Sequence, residues 1–436
     1  MIYLWRIALV VVAMLLTWRV VTSGLAAYYA ERMETGDDAA VAKVLVWQPQ
    51  HSRALFELAL EHLRDDPATG RRLLIRAYDA NPADPRPLIE MAGRQTADGD
   101  LSKADALMEV AGELAPADPR VQKQQAAYWA QRGDAGRSMK HLDRAMRAAP
   151  SEARIFFPTL LEILENPASR SLLEPYALSP PSWWSGFFAH ATLKASSPEP
   201  LRYLYTLRRD AWDSPTTDRE RKRYVARLTK EGLISEAYLA WVNGLDDRER
   251  QHLGLLYNGG FELPLSHQGF GWQAHDDDRV EIQNRRTAGS VEARSLHIRF
   301  RGRERRFGSL FQQLFLNAGH YRLVGRVRTD SLTTKAGLRW RIRCLLPEIQ
   351  QLGQSDRFLG SSDWTEFSFD FDVPDNCIHQ EIRLVSAEKR RQAMKIDGNI
   401  LFDAMRIVRT KGLDATGKAE ALLRDREPAP KKGPRL

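Results

Sequence analysis

Arginine residues alternate with apolar residues in three stretches of the C-terminal half of this 436-residue chain. Successive side chains of a β-strand point to opposite faces, so each stretch predicts a strand with guanidinium groups on one face and apolar groups on the other. Guanidinium groups bind carboxylates and sulfates through paired hydrogen bonds, which suits an anionic polymer. The arginines are Arg299, Arg301, Arg303 and Arg305 in the first stretch, Arg322, Arg326 and Arg328 in the second, and Arg339, Arg341 and Arg343 in the third.

The six arginines of the second and third stretches are the candidate glycan-binding residues. Between residues 294 and 343 the chain has thirteen Lys or Arg residues and only two acids, Glu304 and Asp330. If the strands are neighbours, the six arginines form one guanidinium array on a single sheet face. The alternatives are a face that meets only solvent and a face that docks against acidic residues of another domain.

From residue 250 to residue 410 the chain contains short runs in which apolar and polar residues alternate, and this period of two predicts a β-sandwich. The clearest runs are residues 296–300, 321–327, 338–342 and 365–371. Turn signals, such as the Asn-Ala-Gly of residues 317–319, separate them. The arginine stretches therefore belong to strands of one predicted all-β domain.

Five short motifs mark this predicted sandwich. They are Leu-Tyr-Asn-Gly-Gly-Phe-Glu at 256–262, Gly-Trp at 271–272, Gln-Gln-Leu-Phe-Leu-Asn-Ala-Gly-His-Tyr at 312–321, Asp-Trp at 363–364 and Ile-Leu-Phe-Asp at 400–403. With them, residues 255–410 resemble the jelly-roll carbohydrate-binding modules found beside glycoside hydrolases. The resemblance implies a glycan on one sheet face, usually held by stacking aromatic side chains. Because this chain offers arginine instead, we expect an anionic glycan.

The same resemblance implies a structural calcium ion where the opening strand meets the last strand. Glu262 and Asp403 would then lie near the ion, and carboxylate oxygens suit a hard cation. The alternative is that one is an ordinary surface acid and the other an acid at a strand end. No other cofactor is expected.

A second pattern, in the N-terminal half, repeats about every 34 residues. Pro49, Pro82, Pro116 and Pro150 recur at intervals of 33, 34 and 34 residues. A proline in the first turn of a helix costs no hydrogen bond, so each proline predicts the start of another helix. Gly-Asp turns occur within two of the units, at residues 98–100 and 132–134. Small residues stand where paired helices must approach closely: Ala59, Ala77, Ala92, Ala104, Ala111, Ala126 and Ala145.

With these prolines, turns and alanines, residues 40–150 resemble tetratricopeptide repeats. Stacked helix pairs of that kind share a core and curl into a solenoid, whose groove holds a protein partner in the family. The alternative is a purely structural spacer. The period fades over residues 151–249, which we interpret as degenerate helical repeats, and we expect Trp183 and Trp184 to be buried rather than to form an exposed ledge.

The first 22 residues are apolar except for Arg6 and Arg19, a length close to the ~20 residues that a membrane-spanning helix needs. Trp5 and Trp18 are suitable anchors at the membrane interface. We predict one retained transmembrane helix, with a cleaved signal peptide as the alternative because small residues follow. The short stub before Arg6 favours a cytoplasmic amino terminus and a body on the other side of the membrane.

Cysteine usage bears on the compartment. Cys344 and Cys377 are the chain's two cysteines and both fall in the predicted sandwich. In an oxidising compartment they would form one disulfide, and the alternative is two buried thiols. We therefore expect a single-pass protein of the bacterial inner membrane with its body in the periplasm.

Catalytic signatures are absent from the sequence: no H-E-x-x-H, C-x-x-C, G-x-S-x-G or phosphate-loop pattern occurs. The acidic cluster at residues 275–278 is expected to be a loop rather than a metal site. The formal charge of +8 favours acidic partners, but no nucleic-acid-binding motif accompanies it. We expect no enzyme and no nucleic acid, with an envelope hydrolase as an alternative that needs paired acids in a sandwich pocket.

The sequence thus predicts a multidomain chain with a transmembrane helix, an all-α solenoid of tetratricopeptide type and an all-β jelly roll. The predicted divisions are 1–22 for the anchor, 23–150 for the repeats, 151–249 for degenerate repeats, 250–410 for the sandwich and 411–436 for a disordered tail. This architecture resembles accessory proteins of bacterial exopolysaccharide production. The expected function is a scaffold whose repeats bind a protein and whose sandwich binds an anionic polysaccharide, and the alternative is a general envelope assembly factor whose sandwich binds protein only.

Overall fold

A computed structural model describes residues 2–35, 37–211, 216–274, 280–304, 307–387 and 395–410. The predicted loop at 275–278, Arg305 and the predicted tail at 411–436 lie outside the described residues. The chain divides into two compact units, Met1–His190 and Ala191–Leu436. The first unit is helical, and the second combines helices with two antiparallel sheets.

The first unit begins with a long helix, α1 (Ile2–Glu34). Its segment Trp5–Met33 is long and apolar enough to cross a membrane, and none of its most apolar part is buried in the protein. Apolar side chains that pack against no protein surface are expected for a helix solvated by lipid. A signal sequence has the same composition, so this helix fits both alternatives of the sequence analysis.

Antiparallel helix pairs follow α1. The bounds are α2 (Asp38–Trp47), α3 (Ser52–Asp65), α4 (Pro67–Ala80), α5 (Arg86–Ala97), α6 (Leu101–Leu114), α7 (Pro119–Gln131) and α8 (Ala135–Ala148). Aspartates cap several of these helices, for example Asp100 and Asp134, whose side chains accept hydrogen bonds from backbone N–H groups of the first turn. The turns at Gly99 and Gly133 have φ of +83° and +77°, a conformation that favours glycine.

Close helix packing in these pairs depends on the small residues of the repeat. All seven alanines named from the sequence are buried, because larger side chains would hold the helix backbones apart. The predicted tetratricopeptide-type arrangement of helix pairs is therefore confirmed.

Irregular helices complete the first unit after the last regular pair. They are α9 (Phe157–Glu165), α10 (Glu174–Leu178) and the first part of α11 (Trp184–Lys194), whose last residues belong to the second unit, with short 3-10 turns among them. Trp183 and Trp184 are 4% and 2% exposed and pack edge-on against Phe187, so the expectation that they are core residues is confirmed. The indole N–H of Trp183 donates to Asp143 of α8, which satisfies its polar atom.

Four helices of the second unit precede its sheets. They are α12 (Glu199–Asp210), α13 (Asp218–Lys230), α14 (Ile234–Val242) and α15 (Asp247–Arg250). Tyr238 and Trp241 of α14 contact Phe270, and Trp241 also contacts Tyr257. These aromatic contacts join α14 to the sandwich, and residues 191–249 fall in the same compact unit as the sandwich, whereas degenerate repeats were expected over residues 151–249.

Nine strands form the sandwich in the part of the chain that the structure describes. They are β1 (Val280–Arg286), β2 (Arg294–Glu304), β3 (Leu310–Leu314), β4 (Gly319–Thr334), β5 (Leu338–Leu346), β6 (Gln350–Gln354), β7 (Gly360–Val373), β8 (His379–Ser386) and β9 (Lys395–Arg409). One sheet has the order β1-β2-β9-β4-β7 and the other has the order β3-β8-β5-β6, with every pair antiparallel. This confirms the predicted jelly-roll sandwich.

The inward-facing residues of the two sheets make one continuous core. Trp340 lies at its centre, with ring centroids 5.6 Å from Trp272 and 5.0 Å from Phe402. A disulfide joins Cys344 on β5 to Cys377, just before β8. These contacts fix the strands that carry the arginines.

A candidate anion-binding face

The outer face of the four-stranded sheet carries four arginines. Arg339, Arg341 and Arg343 alternate along β5 with buried residues, as the sequence predicts. Arg383 joins them from β8, where its Cα lies opposite that of Arg341. We call Arg339, Arg341, Arg343 and Arg383 the arginine cluster.

The arginine cluster lines a shallow groove of about 470 Å³. Gln351 and Gln354 of β6 line its other side, and each lies opposite a cluster arginine in the β5–β6 register. No acidic residue is among the described residues that line the groove. Guanidinium and amide groups therefore surround it, an arrangement that suits oxygen atoms carrying negative charge.

A single carboxylate, that of Glu381, organises part of the cluster. Glu381 is 4% exposed and lies opposite Arg343. Arg343 donates from Nη2 to its Oε1 at 2.9 Å, and Arg383 donates from Nε and Nη2 to both of its oxygens at 2.8 and 2.5 Å. Burial alone would raise the pKa of Glu381, but the hydrogen bonds from Arg383 and Arg343 outweigh it and hold the pKa below its usual value. The carboxylate is therefore ionised.

Arg383 is fixed on its other side as well. Its Nη1 donates to the carbonyl oxygen of Gly308, and its guanidinium group lies 4.1 Å from the ring centroid of Phe311. By contrast, the Nε atoms of Arg339 and Arg343 are buried and have no hydrogen-bond partner within the described part of the chain. A buried donor without a partner is costly, so the hydrogen-bonding capacity of these two arginines is not fully used within the described part of the chain.

The second predicted set, Arg322, Arg326 and Arg328, lies elsewhere. It belongs to β4, which pairs with β7 and β9 in the five-stranded sheet. The expectation that all six arginines form one array is therefore wrong. The chain changes sheets between β4 and β5, so strands adjacent in sequence lie in opposite layers of the sandwich.

The arginines on β4 also have local partners. Arg322 donates from Nε and Nη2 to the two oxygens of Asp370 at 2.6 and 2.9 Å. Arg326 donates to the carbonyl oxygen of Gly289 at 3.1 Å, and its guanidinium group lies 5.3 Å from a ring centroid of Trp364. The two groups are thus engaged within the protein, whereas Nε of Arg339 has no partner among the described residues.

Arg299 and Arg301 of the first arginine stretch, on β2, face outward from the same five-stranded sheet. Arg299 lines a cleft of about 350 Å³ together with Arg328 of β4 and the acids Glu281 and Asp330. Arg301 lies 3.7 Å from a carboxylate oxygen of Glu281. Charges of both signs alternate on this face, so it lacks the positive excess of the four-stranded face.

Glu262 and Asp403, the predicted calcium ligands, both hold the loop between β1 and β2. Glu262 accepts hydrogen bonds from the backbone N–H groups of Ala293 and Arg294 at 3.0 and 2.7 Å. Asp403, which is 1% exposed, accepts one from Val291 at 2.6 Å. No group of three or more His, Cys, Asp or Glu side chains suited to a metal occurs among the described residues.

These backbone donors occupy one carboxylate oxygen of Glu262, and both oxygens of Asp403 accept backbone hydrogen bonds, the second from Ala404. N–H groups satisfy a buried carboxylate without a cation, so the donor set fits a structural role better than a calcium site. We call Glu262, Asp403 and their hydrogen bonds to the β1–β2 loop the loop latch. Calcium binding at Glu262 and Asp403 therefore stays a prediction.

Arg383, Glu381, Gln351 and Gln354 were not identified from the sequence. The Glu-x-Arg-x-Val alternation at residues 381–385 is a signal of a strand with a charged face. That signal is short, and it does not reveal that β8 lies beside β5.

Together the two units define a chain of tetratricopeptide-type helix pairs followed by a jelly-roll sandwich with one strongly basic face. The chain matches no protein-family model and no curated protein.

Solved structures show partial likenesses. A CBM4 structure is 16% identical, and the match covers 36% of this chain and 99% of that chain at a TM-score of 0.27. The CBM22-1 xylan-binding domain from a Paenibacillus barcinonensis protein is 14% identical, with 35% and 93% covered at a TM-score of 0.26. Pseudomonas aeruginosa PilF is 15% identical, with 52% and 90% covered at a TM-score of 0.27. Such low TM-scores establish no relationship, and the function must be argued from the chain's own residues.

Proposed function

We propose that this protein is a non-catalytic, membrane-anchored scaffold whose sandwich binds an anionic polysaccharide on the outer face of the four-stranded sheet. The observation that carries the proposal is the arginine cluster. Four guanidinium groups and two amide side chains line one groove, and Glu381 is the carboxylate held beneath them. The cluster follows β5, where alternate side chains are about 6.8 Å apart, so it suits a ligand that carries repeated charges.

The placement that we propose is the bacterial inner membrane, with the body in the periplasm. The apolar helix α1 supplies the anchor. The Cys344–Cys377 disulfide supports an oxidising compartment, since such bonds persist mainly outside the cytoplasm. The helix pairs would bind a protein partner, because stacked pairs provide an extended binding surface. A role in the assembly or export of a surface polysaccharide follows from an anchor, a protein-binding solenoid and a glycan-binding sandwich in one chain.

The experiment that tests this proposal measures binding of the full chain, purified in detergent, to immobilised polysaccharides. The panel contains carboxylated polymers such as alginate and polygalacturonate, a sulfated dextran, and unmodified dextran. We expect binding to the acidic polymers only, and we expect it to weaken when ionic strength rises from about 0.01 M to about 0.15 M, because the screening length falls from roughly 30 Å to roughly 8 Å.

Two triple variants with the same change in charge identify the face. Replacing Arg339, Arg341 and Arg343 with Gln should weaken binding roughly 100-fold or more, because three charge-assisted contacts are lost. The matched control replaces Arg322, Arg326 and Arg328 with Gln, and its affinity should remain within about threefold of the parent's, since only long-range attraction changes. Equal losses in the two triple variants would show that net charge, rather than the groove, binds the polymer.

Absence of binding to every polymer would instead favour the alternative function, an envelope assembly factor whose sandwich binds only protein. Release of reducing sugar from the labelled polymers would favour an envelope hydrolase.

A further inference from the structure

Glu381 occupies an unexpected place in a face that binds anions. It is a buried carboxylate in direct contact with two arginines of the cluster. An acid at this position lowers the positive charge that an anionic polymer meets. If charge alone determined affinity, the site would be better without it.

The geometry around Glu381 suggests why the acid is useful. Arg383 binds it with a two-pronged contact from the same strand, and Arg343 reaches it from β5. Arg383 also donates a hydrogen bond to the carbonyl oxygen of Gly308, and its guanidinium group contacts the ring of Phe311. These contacts restrict the rotamers of two long side chains at neighbouring positions of the groove.

Confinement before binding has a definite effect on affinity. A ligand that orders a long, flexible side chain loses affinity in proportion to the rotamer freedom removed. Arginine has one of the largest such losses among side chains. When the protein itself has already ordered Arg343 and Arg383, the ligand retains that part of its binding free energy. The attraction that one extra exposed positive charge would add is small by comparison, because water and salt screen it.

Building on the proposed function, we propose that Glu381 is a positioning residue that holds Arg343 and Arg383 ready for an anionic polymer. Glu381 itself does not contact the ligand. Its contribution is to affinity through preorganisation, at the expense of one unit of positive charge.

The test exploits the opposite signs of these two effects. Glu381→Gln removes a negative charge with little change in shape, so a purely electrostatic site should bind alginate more tightly. We expect roughly tenfold weaker binding instead, because the amide offers one neutral acceptor oxygen in place of the two charged oxygens that hold the two arginine side chains. Glu381→Asp keeps the charge but is one methylene shorter and cannot bridge both guanidinium groups, so it should weaken binding similarly. The matched control is Asp370→Asn, which removes the same charge from the Arg322 pair on the opposite face and should change affinity by less than about twofold.

A purely structural role would have a different signature. The affinity and the fraction of active protein are measured separately by titration, alongside the melting temperature. A structural role would lower the active fraction or the melting temperature and leave the affinity of the folded molecules unchanged, which would overturn the proposal. Tighter binding by Glu381→Gln would also overturn it, while the proposed function would stand. Failure of the parent chain to bind any acidic polymer would reject the proposed function itself.

Discussion

The two outer faces of the sandwich use the same residue type in different ways. On the five-stranded sheet, Arg322 is paired with Asp370, and Arg326 contacts Gly289 and Trp364. On the four-stranded sheet, Arg343 and Arg383 share Glu381, and the four arginines of the cluster line a groove with no lining acid in the described residues. Arginine alternates in nearly the same way along β4 and β5, so alternation does not determine the difference between the two faces. The residues on the neighbouring strands determine whether the arginines are paired.

This contrast shows what makes a basic strand a binding site. Surface ion pairs such as Arg322–Asp370 satisfy the guanidinium group and contribute little to stability, about 0–1 kcal/mol. Arginines that outnumber their acids keep donors available for a ligand. A difference in function between the two faces should therefore appear when one face is altered without the other. The disulfide, the loop latch and a buried histidine are three sites at which the sandwich can be altered.

Loss of the disulfide should have the largest effect. Cys344 adjoins Arg343 on β5, and Cys377 precedes the strand that carries Arg383, with a sequence separation of 33 residues. Replacing both cysteines with Ala should destabilise the sandwich by roughly 2–4 kcal/mol, because the unfolded chain gains freedom. Chemical denaturation measures this loss. Polymer affinity at a temperature where the variant is still folded should fall too, since the bond joins the strands of the arginine cluster.

Thiol titration provides the control for this prediction. The exported chain should show no free thiol until it is both denatured and reduced. Two reactive thiols in the denatured, unreduced protein would contradict the disulfide and the periplasmic placement together.

The loop latch at Asp403 is the corresponding test on the opposite face. Asp403→Asn removes a buried charge that accepts hydrogen bonds from Val291 and Ala404, and should cost about 1–3 kcal/mol. Hydrogen exchange should speed up in the loop at residues 287–294. Polymer affinity should not change, because the latch lies in the five-stranded sheet, and a loss of binding would contradict the assignment of function to one face.

Calcium is tested with the same variant. If the ion binds at Glu262 and Asp403, calcium should raise the melting temperature of the parent chain relative to chelator, and Asp403→Asn should abolish the increase. Equal melting temperatures with calcium and with chelator would leave the two acids as a latch only.

Local patterns in the sequence predicted most of the fold. The 34-residue spacing and the buried alanines Ala92, Ala104 and Ala126 identify helix pairs, since helix packing depends on residues a few positions apart. Strand alternation identified β4 and β5 for the same reason. Even the burial of Trp183 follows from local composition.

The candidate site was less predictable because it depends on contacts distant in sequence. Arg341 meets Arg383 only because β8 returns beside β5, and no local pattern encodes that pairing. The division of the six arginines between two sheets depends on the same topology. Glu381 could not be recognised as a partner of Arg343 before the register was known.

A buried histidine on the arginine face should give the smallest effect, seen as a dependence of stability on pH. His379 is 3% exposed at the start of β8, and burial lowers its pKa to about 4, although Glu381 opposes this by attraction. The folded state therefore binds a proton less readily than the unfolded state, whose pKa is about 6.5. The contribution of neutral His379 to the free energy of unfolding is fully present above pH 6.5, and it declines as the pH falls from 6.5 towards 4.

Between pH 7 and pH 5 this histidine should cost roughly 1–2 kcal/mol, and His379→Gln should remove that part of the pH dependence. The free energy of unfolding of the two chains, measured by denaturant titration at each pH, gives the difference directly. His297 on the five-stranded face also has a lowered pKa, through burial and then through Arg285 and Arg328. His297→Gln is therefore the matched variant. Because His297 is less deeply buried, its removal should flatten the pH dependence less than His379→Gln does, and the reverse order would contradict the deeper burial of His379.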